Sequence, residues 1–67
     1  MGPRQFTIGD VVAVAGRSLA MLVVDIEAGG EGGVCVAWRC HNDPKLIREH
    51  WLRPSVLRLL APSPLRV

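Results

Sequence analysis

Long apolar runs are missing from this 67-residue chain. The longest, Leu19 to Val24, ends at Asp25, whereas a membrane-spanning helix needs roughly 18 or more apolar residues. The first residues also lack the basic segment and apolar stretch of a secretion signal. The sequence therefore predicts a cytoplasmic protein with no membrane partner.

Cysteine is scarce, since the chain has only Cys35 and Cys40. The two fall on one predicted strand and its exit, so we expect them on opposite faces and too far apart for a disulfide. A zinc site would need His41 and His50 as further ligands, but the paired C-x-x-C spacing of a zinc knuckle is missing. We therefore expect two reduced thiols, as in a reducing compartment, and no metal or other cofactor.

Aromatic residues are also few: Phe6, Trp38 and Trp51 make up 4% of the chain, and there is no tyrosine. Hydrophobic residues nevertheless reach 49%. A chain of this length buries only about 60% of the surface that its unfolded form exposes, so its interior is too small to hide them all. The surplus predicts contact with a protein partner or with itself, as a homodimer.

Short β-branched runs separated by turn residues follow one another along the chain. The first begins at Gly9-Asp10, where glycine allows a positive φ and aspartate bonds its own backbone, so the pair turns the chain into a strand. This alternation predicts all-β structure without a long helix. We expect strands over residues 10–15, 19–27, 33–38, 45–52 and 56–60, a short edge strand over 6–8, a flexible hairpin tip at Gly29–Gly33, and a 3₁₀ corner at Pro54-Ser55.

Four motifs have an order and spacing similar to those of a known family. They are Gly9-Asp10-Val11-Val12, Gly16-Arg17-Ser18 leading to Met21-Leu22-Val23, Cys35-Val36-Ala37-Trp38, and Leu52-Arg53-Pro54-Ser55-Val56-Leu57. The chain is similar in these motifs to the YodC-like family of uncharacterised small bacterial and phage proteins, within the SH3-like barrels. The resemblance implies a small five-stranded antiparallel SH3-like barrel, but that family has no established activity to transfer.

The resemblance also suggests how the chain divides. Residues 1–60 are assigned to the SH3-like barrel domain. Residues 61–67 contain two prolines, which keep them out of a central sheet ladder, so we assign them to a Pro-rich C-terminal tail and expect disorder there.

Positive charge is concentrated late in the chain. Residues 39–67 carry six cationic side chains, five of them arginine, against two carboxylates. Arginine suits phosphate and carboxylate partners because its planar fork makes paired hydrogen bonds. We expect Trp38 in the core and Trp51 exposed, and the candidate binding residues are Arg39, Arg48, His50, Trp51 and Arg53.

Three interpretations of these residues stay open at this point. They are a solvated surface, a surface that binds an acidic protein, and a sheet on which bases of single-stranded nucleic acid stack while its phosphates pair with arginine.

Catalysis is not indicated, because His50 has no evident nucleophile or orienting carboxylate, and Ser18 and Ser55 lie in turns. We expect a small non-enzymatic binding module acting through protein–protein contact, as an inhibitor or adaptor of a phage or mobile element; the alternative is nucleic-acid binding.

Overall fold

The computed structural model describes residues 6–27 and 32–64. Within these ranges the chain is all-β, with one 3₁₀ turn as its single helical segment. No helix there is long and apolar enough to cross a membrane. The elements are β1 (Val11–Val14), β2 (Met21–Ile26), β3 (Val34–Arg39), β4 (Ile47–Leu52), the 3₁₀ turn Pro54–Val56 and β5 (Leu57–Ala61).

The five strands form one antiparallel sheet in the order β4-β3-β2-β1-β5. The four strands β1 to β4 form a meander, and β5 returns to pair with β1. The predicted closed barrel is not present in the described residues, because β4 pairs only with β3 and β5 only with β1. Apolar periodicity locates strands and their faces, but it carries no information on whether two sheet edges meet.

One face of the sheet, here called the core face, carries the hydrophobic core. Its buried residues alternate along the strands, as predicted, and Phe6 packs over them from before β1. Trp38 is partly buried against this core rather than fully enclosed. The buried core residues are Phe6, Val12, Met21, Val23, Val34, Val36 and Leu57.

A β-bulge in β2 changes the predicted alternation. The register with β3 shifts between Val23 and Asp25, so that Asp25 lies opposite Cys35 and Ile26 lies opposite Val34. Simple alternation places Ile26 on the face away from Val23; that expectation is wrong, since Ile26 packs against the core. The extra residue of a bulge moves later side chains to the other face.

The Gly9-Asp10 corner ties the start of the sheet to its last strand. Gly9 has φ +98°, and Asp10 is fully buried. The Asp10 carboxylate accepts hydrogen bonds from the backbone N–H of Thr7 at 2.8 Å and of Ser63 at 2.6 Å. Residues 6–8 therefore lead into a turn closed by Asp10, and the edge strand predicted there is not formed.

The segment predicted as a tail is partly built into this corner. Ala61 is the last residue of β5 and pairs with Val11, and Ser63 is buried. Prolines on either side of Ser63 need no ladder hydrogen bonds, and the one N–H between them is satisfied by a carboxylate. Residues 65–67 lie outside the described ranges, as does most of the predicted hairpin tip, Gly29 to Glu31.

Candidate interaction surfaces

β4 is an exposed edge of the sheet. It pairs along its whole length with β3, from Arg39–Ile47 to Val34–Leu52, and no strand lies on its other side in the described chain. All of its residues except Leu52 are exposed. This strand therefore offers both its backbone edge and two sets of side chains to a partner.

The hydrogen-bonding pattern between β3 and β4 identifies the backbone groups of β4 that point away from the sheet. Cys40 N–H donates to Leu46 C=O at 2.9 Å, in the same register as the β3–β4 pairs. Because hydrogen-bonded and non-hydrogen-bonded pairs alternate in an antiparallel ladder, the backbone groups of residues 48, 50 and 52 face β3. The N–H and C=O groups of Ile47, Glu49 and Trp51 consequently point away from the sheet.

A pocket of about 290 Å³ lies on the core face beside β4. Arg48 and His50 point to this face, because they pair with Trp38 and Val36 of β3. The lining is apolar apart from one arginine and one histidine, and it consists of Val14, Arg17, Leu19, Met21, Trp38, His50 and Leu52. The pocket is therefore suited to an apolar group that carries a negative charge or has one beside it.

The turn after β1 holds the arginine of this pocket in place. Arg17 N–H donates to Val14 C=O at 2.8 Å, and the Arg17 carbonyl accepts from Arg58 Nη2 at 3.1 Å. Gly16, with φ +84°, supplies the left-handed position that the turn needs. A second, more open cleft beside Arg17 is lined by Arg58 and Ser18. Arg58 therefore adds a second cationic side chain next to the core-face pocket.

The opposite side of the sheet, here called the outer face, exposes large apolar side chains. Leu22, Ile47 and Trp51 are 45%, 49% and 50% exposed. A Cβ on Gly33 would lie 3.2 Å from Cε3 of Trp51, so the indole ring covers this glycine. Cys35 lies opposite Trp51 and is buried beneath this layer.

The pKa values of the two cysteines are shifted in opposite directions. Burial raises the pKa of the Cys35 thiol, and the carboxylates of Glu49 and Asp25 raise it further. The pKa of Cys40 is lowered, first by a hydrogen bond from the Asn42 backbone and then by one from the Arg48 side chain. Both thiols are free. Acidic groups thus act on the outer face near Cys35, and a cation acts beside Cys40.

The predicted binding residues do not form one patch. Arg48 and His50 lie together on the core face, whereas Arg39 and Trp51 lie on the outer face. Arg39 also donates from Nη1 to the Pro44 carbonyl at 3.0 Å. Arg53 is exposed and follows β4. Alternation along β4 separates residues that are adjacent in sequence.

Sequence reasoning missed part of the core-face site. Arg17 lies between the first two predicted strands and Leu19 begins the second, and no periodic pattern connects either residue to the distant strand β4. Trp38 was assigned to the core through its alternation with Val34 and Val36, but its contribution to a pocket wall depends on the sheet's curvature. The alternation at Trp38 and His50 is the one sequence signal that could have found this site.

Comparison with protein-family models, curated proteins and solved structures finds no match to this chain. The resemblance to the YodC-like family therefore stays a prediction. Within residues 6–27 and 32–64, no group of three or more His, Cys, Asp or Glu side chains is placed to hold a metal ion.

Proposed function

We propose that this protein is a non-enzymatic binding module that acts through protein–protein contact, and that a second copy of the chain is one of its partners. The observation that carries this proposal is the outer face, where Leu22, Ile47 and Trp51 remain about half exposed. Large aromatic and aliphatic groups exposed together are typical of contact surfaces. The core-face pocket also supports a binding role, because its lining is mainly apolar.

The charges of the outer face favour a second copy as the occupant. Arg39 lies at one end of this face beside Ile47, and Glu49 lies two residues further along β4. Two such faces related by a two-fold axis bring the arginine of each copy towards the carboxylate of the other. The exposed leucine and tryptophan then cover each other at the centre of the contact.

The oligomeric state tests this proposal. Light scattering at increasing protein concentration is expected to give twice the 7.3 kDa chain mass. Leu22→Lys places a charge in the contact and is expected to weaken the dimer by about tenfold or more. Val56→Lys is the matched control, because Val56 is similarly exposed but lies in the 3₁₀ turn. A monomer at all concentrations, or equal weakening by both variants, contradicts the proposal.

The finer description of the fold belongs to the same proposal. We infer an SH3-like sheet from its strand order, a meander followed by a 3₁₀ turn and a strand that returns to β1. An inhibitor or adaptor role on a phage or mobile element, and a cytoplasmic location, remain predictions from the sequence. Neighbouring phage or defence genes would support that role.

A second candidate function is nucleic-acid binding on the core face. It is favoured by the placement of Arg48 and His50 beside Trp38, since a base can stack on the indole while cations meet phosphates. Binding to single-stranded and duplex oligonucleotides should then weaken steeply as salt rises. An absence of binding at low salt rejects this candidate.

A further inference from the structure

We propose that the β4 edge accepts an antiparallel strand from an acidic partner protein, with an aromatic side chain of that strand at the core-face pocket. This inference rests on the proposed role in protein contact and names the chemistry of a partner other than a second copy. It depends on the backbone edge of β4, the charges on its core face and the adjacent pocket.

The backbone edge is available for strand addition. β4 has six residues without proline, and its outward N–H and C=O groups belong to Ile47, Glu49 and Trp51. An added strand can bond to each of these groups while alternating its side chains between the two faces. Natural sheets usually protect such an edge by charge, proline or a covering loop. β4 has no proline and no covering strand in the described chain, and its two charged side chains, Arg48 and Glu49, select the charge of a strand that pairs with it.

A second copy is a poor occupant of this edge. A symmetric antiparallel pair that keeps like faces together must be centred on one residue, which then lies opposite itself. If the pair is centred on Glu49, the Glu49 carboxylates of the two copies lie opposite each other, and Arg48 of each copy lies opposite His50 of the other. If it is centred on Arg48, the two arginines lie opposite each other. Centring on His50 opposes two histidines and sets Glu49 against Trp51. Like charges directly opposite each other destabilise a strand pair, and the last register leaves both carboxylates without a cation.

The core face sets the charge of the partner strand. Residues of an added strand that face this side lie next to Arg48, His50 and Leu52. Carboxylates on the added strand complement Arg48 and His50, and Arg17 adds a further cationic side chain at the pocket. A large apolar side chain beside Leu52 lies at the pocket, whose walls include Leu52 and Trp38. In the chain direction of the antiparallel partner, an aromatic residue therefore comes first on this side and acidic residues follow it.

The outer face sets the alternate positions. Ile47 and Trp51 favour β-branched apolar neighbours, and Glu49 favours a lysine. A strand is favoured over a nucleic acid because the edge offers backbone hydrogen bonds, which an oligonucleotide does not match residue by residue. The formal net charge of +2 is also small for phosphate binding.

A designed peptide tests the proposal. Acetyl-Phe-Val-Glu-Lys-Glu-Val-amide places phenylalanine beside Leu52 and its two glutamates beside His50 and Arg48. The control peptide, Phe-Val-Lys-Glu-Lys-Val with the same ends, inverts the charges. In amide NMR titrations the first peptide is expected to shift the signals of Ile47, Glu49 and Trp51 and to slow their hydrogen exchange. It should bind about tenfold or more tightly than the control.

A charge-reversal variant makes the test specific. Arg48→Glu is expected to invert the preference, so that the lysine peptide binds more tightly than the glutamate peptide. Lys45→Glu changes the net charge equally but lies two residues before β4, and it should leave the preference unchanged. Unchanged amide signals of β3 show that each variant keeps the sheet.

Each other outcome rejects the proposal. Equal binding of the two peptides rejects the role given to charge. Binding that leaves the hydrogen exchange of the Ile47, Glu49 and Trp51 amides unchanged rejects pairing at the β4 edge. Tighter binding of a single-stranded oligonucleotide at the same ionic strength assigns the surface to nucleic acid instead. The titrations are repeated with Leu22→Lys, so failure of the homodimer and failure of strand addition are observed separately.

Discussion

The Gly9-Asp10 corner and the β4 edge are opposite extremes of the same small sheet. At the corner a carboxylate is completely buried, and both of its oxygens accept backbone hydrogen bonds. At the edge, apolar Ile47 and Trp51 are about half exposed. The difference shows that position in the sheet, rather than side-chain polarity alone, decides burial here. The corner stabilises the fold, and the edge remains exposed.

The neighbouring strands β3 and β4, which both have six residues, show the same contrast in burial. They pair at every position, yet β3 begins with three buried residues and β4 has none. β3 is covered by strands on both sides, whereas β4 has one neighbour. A substitution at the corner should therefore change stability, and one on β4 should change binding or reactivity.

The largest expected effect is at the corner. Asp10→Ala removes the carboxylate acceptor from the N–H groups of half-buried Thr7 and buried Ser63. Hydrogen bonds to a carboxylate are stronger than neutral ones, and a donor that loses a buried acceptor is not compensated by water. The free energy of unfolding should therefore fall by about 3 kcal/mol. Urea denaturation followed by tryptophan fluorescence measures it.

Asp43→Ala is the matched control for this change. Asp43 also accepts a backbone hydrogen bond, from Lys45 N–H at 3.2 Å, but it is exposed. Water replaces the lost acceptor there, so the expected loss is below about 1 kcal/mol. Equal losses for the two variants would contradict the role assigned to burial at Asp10.

The next largest effect separates backbone strain from crowding. Gly9 and Gly16 both have a positive φ, but a Cβ on Gly9 would lie 2.5 Å from Ser63 Oγ, and one on Gly16 has nothing within 4 Å. Gly16→Ala therefore carries only the conformational cost of about 1 kcal/mol, and Gly9→Ala should cost about 2 kcal/mol. Thermal unfolding measures both.

A second substitution checks the source of the extra cost. Ser63→Gly in the Gly9→Ala background removes the crowded hydroxymethyl group and should recover part of the loss. The same Ser63→Gly change with Gly16→Ala should recover nothing, because Gly16 has no contact there.

The smallest expected effect lies beside β4 and concerns reactivity rather than stability. The lowered pKa of Cys40 increases its thiolate fraction near neutral pH, and the raised pKa of buried Cys35 has the opposite effect. Iodoacetamide should therefore alkylate Cys40 first. The reaction is run at about pH 7 to 8, just below the pKa of an unperturbed thiol, where the two thiolate fractions differ most. Mass spectrometry of peptide fragments locates the label.

Arg48→Gln removes one of the groups that lower the pKa of Cys40. The alkylation rate at neutral pH should fall, although the Asn42 hydrogen bond retains part of the effect. Arg39→Gln is the control, because Arg39 precedes Cys40 directly but donates to Pro44. Equal slowing by both variants would reject a local effect of Arg48.

Strand positions were the most predictable part of the fold. Alternation of Val34, Val36 and Trp38 against Cys35 correctly separates the faces of β3, and Pro54-Ser55 correctly locates the 3₁₀ turn. Both signals are local, because they depend on the two-residue period of a strand and the fixed φ of proline.

Features that depend on distant parts of the chain were not predictable. The bulge before Ile26 has no local marker, and neither does the contact between Asp10 and Ser63, which are 53 residues apart. The pocket likewise joins Arg17 to His50 across the sheet. For the candidate site, alternation along β4 could identify exposed Trp51 and place Arg48 on the opposite face, but it could not identify the pocket on that face.

The shared carboxylate of Asp10 also makes the protein suitable for circular permutation. Because Thr7 and Ser63 bond to the two oxygens of one side chain, a short flexible linker can join the segments that contain them. New ends opened in the exposed turn around Asn42 would leave every strand intact. The rearranged chain would then present β4 close to its new beginning, where a fused strand could fold back onto the open edge.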